Sequence, residues 1–278
     1  MGSWLDAHAQ DGEWLVRMED IDRPREKPGA ADAILRALES CALHWDSSVM
    51  IQSRRDEVYA AAMSELDLAG HLYPCTCTRR EIADSVTAMD RLLEGQDIVY
   101  PGTCRRGLAP GRTPRAWRVR VPRETIAFND RIQGRCSQNL ESECGDFVIR
   151  RADGLFAYQL AVVVDDAEQG ITDIVRGADL LSSTPRQILL QRQLGYATPA
   201  YAHLPVAVNA EGEKLSKQTR AAALDAEHPS PDMVHALRFL GQSPEESLAK
   251  ARPEEILAWA LEHWNMDRVP HQLSIPEH

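Results

Sequence analysis

GDFVIRRADGLFAYQLAVVVDDAEQGITDIVRGADLLSSTPRQILLQRQL, from Gly145 to Leu194, is the stretch that decides the fold. Val148–Arg150 is a short β-prone run that ends in the turn residues Ala152-Asp153-Gly154. Leu155 to Val164 is apolar enough to be buried, and Ile171 to Val175 forms a second strand candidate stopped by Arg176-Gly177. Ser182-Ser183-Thr184-Pro185 opens a helix that Gly195 closes. A hydroxyl at the cap, Pro in the first turn and Gly past the end are the signals that bound a helix. Two strands around a helix, followed by another helix, predict part of an open α/β sheet. Tyr158, Asp165-Asp166 and Arg176 are the polar groups at element ends. Ligands of open α/β sheets sit at the carboxyl ends of strands, where Arg176 falls.

Working outward, 278 residues make one large domain or two small ones with ample core. A hydrophobic fraction of 44% and a charged fraction of 26% are ordinary for a globular protein. No apolar run approaches the roughly 20 residues that span a bilayer, so no membrane partner is expected. MGSWLDAHAQ lacks the basic and apolar regions of a secretion signal. Six cysteines, three of them close together, predict reduced thiols, a metal site and a cytoplasmic location. A net charge of -11 argues against a general nucleic-acid coat. Yet Arg105, Arg106, Arg112, Arg115, Arg118, Arg120, Arg123, Arg131 and Arg135 form a basic island opposed within it only by Glu124 and Asp130. It reads as a phosphate-contact surface or as a solvated, arginine-rich hairpin.

Toward the N-terminus, Gly2 to His8 reads as the tail of a helix and Glu13 to Met18 as a short buried strand. Glu19, Asp20 and Asp22 follow that strand; they suit a cation or an ammonium group, or else cap the next helix. Ala30–Leu43 and Arg54–Leu68 carry a helical apolar period. Cys75-Thr76-Cys77 and Cys104, each near a turn, predict a tetrahedral zinc knuckle, against the alternative of three unrelated thiols. A fourth donor is needed, and His71 and Tyr100 are the nearest candidates; spacing alone favours His71 because tyrosine is an uncommon zinc ligand. Cys41, Cys136 and Cys144 fit no ligand pattern and read as core or reduced thiols.

Ala116–Val121 and Glu124–Ile132 read as strands of a block that interrupts the α/β pattern. His203–Val208 is the expected last strand, and Asn209 to Lys217 a loop loosened by Gly212. Lys214 and Lys217 stand three apart, so one helical turn puts both ammonium groups on one side, where they can neutralise a polyphosphate. Pro231–Trp264 reads as helical, and Gln272–His278 as frayed.

These residues together resemble the glutamyl-tRNA synthetase-type class I aminoacyl-tRNA synthetases, over nearly the whole chain from Gly2 to about Gly241. Lys214-Leu-Ser-Lys217, just after a buried strand, is similar to the KMSKS signature of class I synthetases. The resemblance implies a Rossmann-like α/β catalytic domain with a zinc-containing insertion and a small C-terminal helical subdomain. Its implied division is 1–71 and 145–220 for the two halves of the nucleotide-binding domain, 72–144 for the insertion and 221–278 for the helices. The implied reaction joins the carboxylate of L-glutamate to the α-phosphate of ATP, carried with Mg2+. Glu19 would then hold the α-ammonium of glutamate, Arg176 its carboxylate and Tyr158 the amino acid as well, with Lys217 and Lys214 on the ATP phosphates. The short branch of the family is known for a Cys-x-Cys, Tyr-x-x-x-Cys zinc site, which maps onto Cys75, Cys77, Tyr100 and Cys104, although the stretch from Thr78 to Val99 is longer here than in that branch. That branch attaches glutamate to the queuosine base of tRNA(Asp), and no anticodon-binding domain fits after Lys217. A truncated glutamyl-tRNA synthetase core and an inactive RNA- or zinc-binding relic are the alternatives; a monomer is expected.

The sequence departs from the family at its beginning. Family members open with a strand and an HIGH-like ATP motif at the head of the first helix, and Met1-Gly2-Ser3-Trp4-Leu5 resembles the interior of the helix that follows. The expectation is a start codon upstream of Met1 in the native protein. The 278-residue form is accordingly expected to bind ATP poorly, with ATP–pyrophosphate exchange far below normal family rates; exchange at the usual rate would refute this.

Overall fold

The computed structural model describes residues 1–87, 99–215 and 224–277. Its first half runs α1 (Gly2–His8), β1 (Arg17–Met18), α2 (Ala30–Ser40), β2 (Met50–Ile51), α3 (Asp56–Leu68), β3 (Leu72–Cys75) and α4 (Arg79–Thr87). It continues through β4 (Ala116–Val119), β5 (Thr125–Asp130), β6 (Gly134–Asn139), α5 (Leu140–Glu143), β7 (Val148–Arg150), α6 (Tyr158–Glu168), β8 (Asp173–Gly177) and α7 (Thr184–Leu194). It closes with β9 (Ala200–Leu204), β10 (Val206–Val208), α8 (Ser230–Phe239), α9 (Pro253–His263) and β11 (Ser274–Pro276). No helix among the described residues is long and apolar enough to cross a membrane.

The deciding stretch folds as strand, helix, strand, helix, and the reason is burial. Leu160 to Val164 are all buried, so α6 forms inside the main core although Val162, Val163 and Val164 are β-branched. Gly195 ends α7 with a φ of 70°, which glycine adopts at no steric cost. Ser183 stands at the cap of α7 but does not cap it: its hydroxyl accepts from Gln159 Nε2 instead.

The sheets are mixed. β8 and β9 pair in parallel from Asp173↔Ala200 to Gly177↔Leu204, and β9 meets β5 at Tyr201↔Asp130. β5 and β6 form an antiparallel hairpin, giving the order β6-β5-β9-β8. A three-stranded antiparallel sheet runs β3-β4-β7, and β1 pairs in parallel with β2 alone. Sheet membership therefore crosses the sequence boundaries at 71/72 and 144/145. The basic hairpin of β5 and β6 joins β8 and β9, while β7 joins the cysteine-bearing β3. Only Arg17–Met18 of the expected strand Glu13–Met18 is paired. The segment expected to be frayed is not: Ser274–Pro276 pairs with Val206–Val208.

Between β1 and β8 lies a cleft of about 750 Å³, lined from β1 by Val16, Arg17 and Glu19 and from β8 by Asp173, Ile174 and Val175. Behind it α6 is fixed by one buried charge. Asp165, 0% exposed, accepts hydrogen bonds from Gln52 Nε2 at 2.7 Å, Arg55 Nε at 2.8 Å and Tyr59 OH at 2.9 Å. Arg17 Nε stands 3.9 Å from the same carboxylate. Asp165 thereby ties α6 to β1, α3 and the turn before α3. Removing one partner of a buried, hydrogen-bonded ion pair leaves the other charges uncompensated, at about 3–5 kcal/mol. Asp165→Ala is expected to lower urea-unfolding stability by about that amount, against about 1 kcal/mol or less for the exposed Glu168→Ala. Equal losses for the two variants would show that Asp165 is not the tie.

Candidate active site and metal centre

Three side chains picked from distant parts of the chain lie near one another: Glu19 lines the cleft, while Tyr158 and Arg176, in contact with each other, lie outside its lining. Glu19 follows β1, Tyr158 opens α6 and Arg176 lies near the end of β8. Arg17 donates from Nη2 to Asp166 Oδ1 at 2.8 Å and from Nη1 to Gln169 Oε1 at 2.8 Å, with Glu19 Oε1 3.6 Å away. Burial pushes the Glu19 carboxyl up; Arg17 opposes this, Asp166 adds to it, and Arg176 also pulls it down. Burial likewise raises the Tyr158 hydroxyl, with Arg176 opposing and Glu19 adding. Each of the three therefore lies in the electrostatic reach of the other two.

Arg176 is held more tightly than its sequence position suggests. Its Nε donates to His203 Nε2 at 3.1 Å, and its Nη2 donates to Thr184 Oγ1 at 2.8 Å and to Gln187 Oε1 at 2.7 Å. Its Nη1 donates only a long bond to Tyr158 OH, at 3.4 Å. The guanidinium is thus pinned along one edge, and Nη1 is the corner left for a ligand. Sequence reading passed over Thr184, Gln187 and His203. A signal existed: Thr184 and Gln187 are three apart at the start of α7 and so share a face, and His203 is a polar residue inside an apolar strand.

Lys214 lies beside this site. It bridges to Val208, and its Nζ pairs with Asp179 Oδ2, just past the end of β8. Lys217 lies outside the described residues. The arginine island is largely spent on the fold. Arg105 pairs with Asp146, Arg112 with Glu81, Arg123 with Glu141 and Arg131 with Asp6. Arg118 and Arg120 donate to backbone carbonyls. Carboxylates from other elements supply the neutralising charge that the local sequence lacks.

At the far side, β3 and the turn after it bring Cys75 and Cys77 to Cys104, with all three sulfurs within 4.8 Å of one another. Cys77 Sγ lies 3.6 Å from Cys104 Sγ, and the Tyr100 hydroxyl lies 3.5 Å from Cys75 Sγ and 3.6 Å from Cys77 Sγ. Ligands at about 2.3 Å around a tetrahedral ion stand about 3.7 Å apart, the range in which these three separations fall. Burial raises the Cys77 thiol to about 11. Burial also acts to raise Cys104, but hydrogen bonding from the Thr76 backbone, with Tyr100 and Cys77, outweighs it and brings that thiol down to about 7. His71 is elsewhere, lining a cavity with Arg105 and Arg120. Tyr100 reaches the cysteines because Gly145 lies against its backbone. A Cβ at Gly145, where φ is 70°, would stand 2.7 Å from the Tyr100 carbonyl oxygen. Residues 88–98 of the long connecting stretch lie outside those described.

Residues 1–263 match the family model for tRNA synthetases class I (E and Q), catalytic domain. This chain belongs to that family. Among curated proteins, it is 60% identical over 272 residues to the Glutamyl-Q tRNA(Asp) synthetase of Dechloromonas aromatica, covering 98% of this chain and 89% of that protein. It is 55% identical to the protein of the same name from Thiobacillus denitrificans, covering 97% and 88%. Among solved structures, the glutamate-tRNA synthetase of Elizabethkingia anophelis superposes with a TM-score of 0.78 at 23% identity, covering 98% of this chain and 62% of that one. As a class I tRNA synthetase-like ligase, this chain has the α/β catalytic fold that the superposition shows, and ATP is the energy source of its class.

Proposed function

We propose that this protein activates L-glutamate with ATP and transfers it to the queuosine base of tRNA(Asp). The observation that carries the reading is the mutual proximity of Glu19, Tyr158 and Arg176, a carboxyl and a pinned guanidinium each within the other's field. An amino acid with a second carboxylate satisfies both groups. Glu19, beside Arg17 and Asp166, takes the α-ammonium. Arg176 offers Nη1 to the side-chain carboxylate, and Tyr158 lies against the substrate between them. The α-carboxylate is then left to attack the α-phosphate of ATP, forming the glutamyl adenylate and releasing pyrophosphate. No protein nucleophile is required; the residues position and neutralise. Lys214 and Lys217 are assigned to the phosphates, and magnesium to ATP itself.

The queuosine acceptor rests on the names of the curated relatives, of which this chain spans 89% and 88% in the first two. A truncated glutamyl-tRNA synthetase is the weaker reading, since identity is 60% and 55% to the first two curated relatives and 23% to the solved glutamate-tRNA synthetase. A single Zn2+ on Cys75, Cys77, Tyr100 and Cys104 fits the spacings above, and the oxygen and three sulfurs supply a closed structural site of the kind that locks a fold. The division into two nucleotide-binding halves, a zinc insertion and a helical cap is retained as part of the proposal.

Incubation of the protein with labelled glutamate, ATP and queuosine-containing tRNA(Asp) is expected to leave label on the modified base. Label on the terminal adenosine, with none on the base, would sink the assignment. Metal analysis is expected to find one zinc per chain. Cys104→Ser should lose it and His71→Ala should keep it; the reverse pattern would move the fourth ligand to His71.

A further inference from the structure

Asp130 and His203 form a buried chain of hydrogen bonds that ends on Arg176, and the chemistry proposed above gives neither of them a role. β8 and β9 pair with Arg176 opposite His203, so both side chains stand on the same face of the sheet. His203 is 0% exposed and Asp130 4%. Asp130 Oδ1 accepts the backbone N–H groups of Ile132, Gln133 and His203, and Oδ2 lies 2.6 Å from His203 Nδ1. Burial acts to raise this carboxyl, but the bonds from His203 and the three backbone groups outweigh it and bring it below its ordinary range. An ionised carboxylate has only acceptors, so His203 Nδ1 must be the donor. His203 Nε2 faces Arg176 Nε, always a donor, at 3.1 Å, and Thr184 Oγ1 at 3.2 Å, whose oxygen already accepts from Arg176 Nη2 and whose O–H is free to donate to the ring. A proton on Nε2 would set two donors head to head beside a permanent cation.

We infer that His203 is a positioning residue for substrate recognition: Asp130 fixes it as the Nδ1–H tautomer, and its bare Nε2 orients Arg176 so that Nη1 points at the ligand. The inference rests on the glutamate reading above. The guanidinium has five N–H donors; Nε goes to His203 and Nη2 to Thr184 and Gln187, so the ring nitrogen closes the pinned edge. Without an acceptor at this point, the guanidinium can turn about its stem and the carboxylate contact loses its direction. Asp130 touches no ligand in this scheme; it acts two bonds away through the tautomer. Removing a hydrogen bond to a charged group is worth about 10- to 100-fold in binding.

The test has two arms on the full chain. In the ligand-free protein, ¹⁵N chemical shifts report the tautomer of each histidine, and the His203 signal is assigned by its loss in His203→Gln. The expected result is a protonated Nδ1 and a bare Nε2; a protonated Nε2 overturns the inference. In the second arm, calorimetry measures glutamate affinity and thermal unfolding measures folding. His203→Phe and Asp130→Asn are expected to weaken glutamate by about tenfold or more. His203→Gln, whose amide oxygen can accept from Arg176, should recover most of that loss, which a purely structural role would not produce. Unchanged affinity in His203→Phe, or losses that track unfolding temperature across all three variants, overturns the positioning role. A wild-type chain that shows the Nδ1–H tautomer but takes up no glutamate refutes the function proposed above and leaves the geometric chain standing.

Discussion

The buried carboxylate of Asp165 is the constraint on which the rest of the molecule depends. A charge with 0% exposure is tolerated only because Gln52, Arg55 and Tyr59 all donate to it, with Arg17 nearby. Meeting that demand fixes the start of α3 and the end of β1 against α6. Everything at the cleft follows from it. Arg17 is shared between Asp165 and its neighbour Asp166, which places Glu19 on the cleft wall. Tyr158, two turns earlier on α6, is carried to Arg176.

The two ends of the candidate site differ in how they are held. Glu19 sits beside Arg17 in a flexible-sided arrangement at 3.6 Å. Arg176 is enclosed by three acceptors on two elements, α7 and β9. The rigid end suits recognition of a carboxylate, whose geometry is planar and directional; the looser end suits an ammonium group, which accepts approach from any side. The cysteine cluster has a separate logic. It lies on β3 and its following turn, held by Tyr100 through the close approach of Gly145, and it shares its sheet with β7 from the deciding stretch.

Much of the fold was legible because its signals are local. Helices α3 and α7 are bounded by breakers at Gly70 and Gly195, and the Cys75-x-Cys77 pair lies next to a turn that brings its sulfurs together. Glu19, Tyr158 and Arg176 were legible as polar groups at element ends. The fourth partner of the cysteines was not: by spacing His71 is the better donor, yet Tyr100 faces the sulfurs, because a bridge between Tyr100 and Gly145 sets the hydroxyl there. Along the chain the basic island reads either as a phosphate-contact surface or as a solvated hairpin. Asp146, Glu81, Glu141 and Asp6 come from other elements, so the charge that reads as unbalanced along the chain is neutralised across it.

By itself, the sequence determined the element types, the residues at their ends and the chemistry available there, since propensity, capping and turn formation act over a few residues. Tertiary structure alone decided that the β5–β6 hairpin joins β9, that Ser274–Pro276 becomes a strand beside β10, and that Asp130 reaches His203 from 73 positions away. Those contacts depend on which buried polar group finds which partner once water is excluded. That matching is a property of the packed interior, and no window of neighbouring residues contains it.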